Sequence, residues 1–65
     1  MKSKVKKVLR KMVKLEQECQ ANQNNARLIE ANMQKMLELG KSIPLKDFIQ
    51  VIEELEKMRE KGLLS

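Results

Sequence analysis

Apolar residues recur at alternating spacings of four and three along the first half of this chain. They are Val5, Val8, Met12, Leu15 and Cys19, then, past a polar residue at Asn22, Ala26, Ile29, Met33 and Met36. That rhythm is the heptad of a coiled-coil helix. At 1.5 Å per residue the seam is about 48 Å long. A chain of 65 residues is not expected to cover so long an edge by itself. The seam therefore predicts self-association, most simply a two-fold homodimer. Its interface would be Val5, Val8, Leu9, Met12, Leu15, Cys19 and Asn22, the last acting as a buried polar residue that fixes register.

One segment interrupts this reading. Residues 20–25 are Gln-Ala-Asn-Gln-Asn-Asn, and Asn is a weak helix former. The heptad phase before the insert agrees with the phase after it, which favours one long helix over about residues 3–39. The alternative is a break at 20–25, giving a three-helix arrangement.

A second helix is expected over about 43–61. Gly40 is placed to close the long helix in a left-handed conformation. Ser42 can cap the next helix, Pro44 is tolerated in its first turn, and Asp47 suits the positive helix end. Lys57, Arg59 and Lys61 suit the negative end, and Gly62 ends the helix. So short a link makes the two helices antiparallel neighbours. Facing pairs about Ser42 would be Met36 with Phe48, Met33 with Ile52 and Ile29 with Leu55. The expected hairpin core is thus Ile29, Met33, Phe48, Ile52 and Leu55. The expected class is all-α, with residues 1–65 as one domain: a basic amphipathic helix over 1–20 and a helical hairpin over 26–61. No strand pattern competes with it.

The net charge of +5 is unevenly spread. Lys2, Lys4, Lys6, Lys7, Arg10, Lys11 and Lys14 crowd the first fourteen positions, and all 9 acids lie from Glu16 onward. Cations at a helix start oppose the macrodipole, which a sequence shaped only for folding would avoid. Lys4, Lys6, Lys7, Arg10, Lys11 and Lys14 are therefore the candidate nucleic-acid-binding residues, neutralising phosphates and releasing counterions. The expected function is that of a small oligomeric regulatory protein binding nucleic acid. The alternative is an adaptor or inhibitor docking Val5, Val8, Leu9 and Met12, with the surrounding lysines, on an acidic protein partner.

Catalysis is not expected. The chain has no histidine and a single cysteine, so Cys19 lacks a base to make its thiolate and no zinc site can form. No phosphate-cradling glycine loop is present. No catalytic residue, metal, cofactor or small-molecule substrate is expected. Nor is a membrane span, since no apolar stretch approaches 18 residues. A lone thiol and no secretory apolar core suggest a reducing cytoplasm.

Overall fold

The computed structural model describes residues 2–64. They form three helices and no strand: α1 (Ser3–Ala21), α2 (Ala26–Lys41) and α3 (Leu45–Glu60). The expected continuous helix over 3–39 is therefore corrected: the chain turns at residues 22–25, as in the three-helix alternative.

The asparagines make the turn. At the end of α1 the Asn22 N–H donates to the Cys19 carbonyl at 3.2 Å, and Asn22 Nδ2 donates to the Glu18 carbonyl at 2.8 Å. The Asn25 N–H then donates to the Asn22 carbonyl at 2.9 Å. At the start of α2 the Asn25 side-chain oxygen accepts the Leu28 N–H at 3.1 Å, an N-cap. Short amide side chains compete with helical backbone bonds in this way, and so favour helix ends over interiors. Asn22 is a C-cap, not a coiled-coil register residue.

Turning here lets α1 lie against both other helices, while α2 and α3 touch each other least. Val5, Val8 and Met12 are buried together with Ile43, Val51, Leu55 and Leu64. Their burial is worth roughly 1.5–3 kcal/mol for each large side chain. The expectation that the first part of the seam lacks a cover inside the chain is thereby corrected. Leu9, Val13, Met36, Leu39, Phe48 and Met58 are half-buried around this core.

The core is not the hairpin core expected. Leu55 belongs to it, and Phe48 and Ile29 are half-buried, but Met33 is 58% and Ile52 37% exposed. The reason is that α3 turns Val51 and Leu55 toward α1. The α2 helix is held by α1 through a face carrying Asn32, which is 2% exposed. Asn32 Nδ2 lies 3.4 Å from Glu18 Oε1.

The link from α2 to α3 also differs in detail. Gly40 lies within α2, which runs on to Lys41, and its φ is not positive. Ser42 closes α2 rather than opening α3, with its Oγ donating to the Leu39 carbonyl at 2.6 Å. Pro44 is the N-cap of α3, and Asp47 lies in the first turn. The far end is as read from the sequence. Gly62 takes φ +72, the Gly62 N–H donates to Arg59 and the Leu63 N–H to Met58. This is the paired closure of a Schellman motif, and it turns Leu64 back into the core.

Candidate nucleic-acid interface

Burying Val5, Val8 and Met12 fixes which way the rest of α1 points. At 3.6 residues per turn, Lys4, Lys6, Lys7, Arg10, Lys11 and Lys14 fall on the remaining arc, and all six are exposed. The structure thus gathers every one of the candidate cations on one outward face. Leu9 and Val13 flank the core contact and are half-buried, and Leu15 and Cys19 are half-buried nearer the turn.

The acids of α1 are arranged differently. Glu16 accepts from Arg59 of α3, with Nη2 at 2.8 Å and Nε at 3.0 Å from the same Oε1. Glu18 faces Asn32 of α2. Both acids of α1 therefore reach across to another helix. None of the six candidate cations makes an ion pair among the described residues, whose pairs are Lys2–Asp47, Lys41–Glu38, Lys57–Glu54 and Arg59–Glu16.

The helix start adds to this field. The first turn of α1 contains no acid, and Lys2 at the N-cap makes no side-chain capping bond. Unsatisfied backbone N–H groups and the positive end of the macrodipole thus share the region with the cations.

Beside this face a shallow groove runs between α1 and α2. Leu15 and Leu39 are its apolar part, and Lys11, Lys14 and Lys35 stand along it with Glu18 and Glu38. Lys35 is a residue that sequence reasoning missed, because only the packing of α2 on α1 brings it next to Lys11 and Lys14. A second groove lies where α2 and α3 meet over α1, with Met33, Met36, Leu37, Phe48 and Ile52 along it and Met12 and Glu16 of α1 also lining it.

No group of three or more His, Cys, Asp or Glu side chains that could hold a metal ion occurs among the described residues. No helix among them is long and apolar enough to cross a membrane. Comparison with protein-family models, with curated proteins and with solved structures finds no match.

Proposed function

We propose that this chain is a small non-enzymatic regulatory protein that binds nucleic acid through the outer face of α1, and that it acts as a homo-oligomer. The observation that carries the reading is the unpaired cationic face. Six cations stand on one side of one helix, while both acids of that helix are engaged with other helices. Like charges held together destabilise the free protein by mutual repulsion, and a polyanion relieves that cost.

The test is a mobility-shift titration with duplex DNA and with RNA over a range of salt. Each phosphate neutralised contributes a slope of about −0.9 in log K against log salt on duplex DNA. The triple variant Lys7→Gln, Arg10→Gln, Lys14→Gln is expected to flatten the slope by about two to three units on that basis, with helicity unchanged. No binding by the unmodified protein at low salt overturns the reading.

A second reading draws on the groove between α1 and α2. An acidic protein helix could set an apolar residue against Leu15 and Leu39 and its carboxylates against Lys11, Lys14 and Lys35. Docking through Val5, Val8 and Met12 has less support, because those side chains are occupied in the core. Leu15→Ser separates the two readings: it removes the apolar contact that protein docking uses and leaves the charge of the face, and so the phosphate contacts, in place.

A further inference from the structure

The strongest feature outside the cationic face is an apolar row on α3. Leu45, Ile49 and Ile52 are 73%, 49% and 37% exposed, and their spacing of four and three sets them on one side of the helix. Met33 and Leu37 of α2, both 58% exposed, continue the surface alongside. Contiguous apolar surface of this kind on a small protein marks an interaction site. The α2 helix points to the same conclusion: it buries Asn32 and leaves Met33 and Leu37 outside, an inversion that folding of one copy alone does not reward.

We infer that this row is the contact between two copies of the chain, with the two α3 helices antiparallel about a two-fold axis near Ile49. The row is self-complementary in that arrangement. Ile49 meets Ile49 of the second copy, and Leu45 meets Ile52 of the second copy. The charges beside it match under the same operation. Lys46, one turn before Ile49, comes opposite Glu53, one turn after it. Lys46 and Glu53 make no ion pair among the described residues. A parallel pairing would instead put Lys46 on Lys46 and Glu53 on Glu53, which repel. The two-fold makes the Lys46–Glu53 contact twice. It also leaves the cationic face of α1 uncovered, because α1 turns Val5, Val8 and Met12 toward Val51 and Leu55 and its six cations away from them.

The inference locates the interface of the homo-oligomer proposed above and does not depend on nucleic-acid binding. Sedimentation equilibrium on the full chain tests it. The unmodified protein is expected to be a dimer at micromolar concentration, and Ile49→Asp a folded monomer with unchanged helical circular dichroism, since that side chain is half outside the fold already. Lys46→Glu and Glu53→Lys are each expected to weaken the dimer about tenfold or more, because each turns two attractions into two repulsions. Combining them in one chain restores opposite signs and is expected to recover the affinity. A monomer at all concentrations, a dimer that survives Ile49→Asp, or single charge changes that the double variant fails to rescue would each overturn the assignment. Nucleic-acid binding by monomeric Ile49→Asp, measured in parallel, tells failure of the interface from failure of the functional reading.

Discussion

The Phe48 ring lies against Gly40, so close that a Cβ at Gly40 would stand 2.8 Å from Phe48 Cε1, 3.1 Å from Cζ and 3.2 Å from Cδ1. The glycine is there to admit the ring, not to reverse the chain. Glycine inside a helix costs about 0.8–1 kcal/mol against alanine, and here that cost lets α3 approach α2. Gly40→Ala is expected to destabilise by about 1 kcal/mol net, the overpacking outweighing the gain in propensity. In a Phe48→Ala background the sign should invert, with Gly40→Ala now stabilising by roughly 0.5–1 kcal/mol. A double-mutant cycle by urea denaturation measures this coupling directly.

Asn25 marks the beginning of α2. Asn25→Ala removes the acceptor for the Leu28 N–H and should cost about 0.5–2 kcal/mol. Asn25→Ser should recover most of it. A melting temperature unmoved by the alanine variant would mean that α2 does not begin there.

Much of this was legible in the sequence. The helix class, α3 to within two residues, the amphipathic α1 and the closure at Gly62 all follow from local chemistry. The break at residues 22–25 is masked by agreement of heptad phase across it, which Asn22 and Asn25 override by capping the helix ends. Phase reports that one face of a helix is apolar; it does not report what covers that face. Val5, Val8 and Met12 have the same pattern whether a second chain or α3 lies over them. Asn32 shows the same limit from the other side, since nothing local distinguishes it from the exposed Asn24, and only the packing of α2 against Glu18 buries it. The cationic face was readable residue by residue, because it depends only on where the apolar side of α1 lies. Lys35 was not, because it joins that face through tertiary packing.

Stability and binding should oppose each other at the start of α1. Lys4→Glu places an acid where the helix dipole favours one and removes a repelling cation, with an expected gain of about 0.3–1 kcal/mol. The same change should weaken nucleic-acid binding and lower its salt slope. Thermal denaturation of the free protein, alongside a binding titration, reads both effects. A variant that is less stable would contradict the electrostatic account of this helix end.

Met12 tests the closed core. It is 2% exposed within a single chain, so Met12→Ala should cost about 2–5 kcal/mol. The loss should appear equally in the monomeric Ile49→Asp background, because the side chain is covered from within. If the loss were seen only in the dimer, Met12 would belong to an interface instead.

The central claim is that the chain turns at residues 22–25 and covers the first part of its seam from within, and the most direct test is one intrachain distance. Spin labels at positions 4 and 35, in a Cys19→Ala background diluted into excess unlabelled protein, can be read by pulsed dipolar spectroscopy. Lys35 lines one groove with Lys11, and position 4 precedes Lys11 by two turns of α1, about 10 Å, so the label sites should lie well within the longest principal extent of 34 Å, in one narrow distribution. An unbroken helix would hold them about 46 Å apart at 1.5 Å per residue, and a peak there would contradict the account.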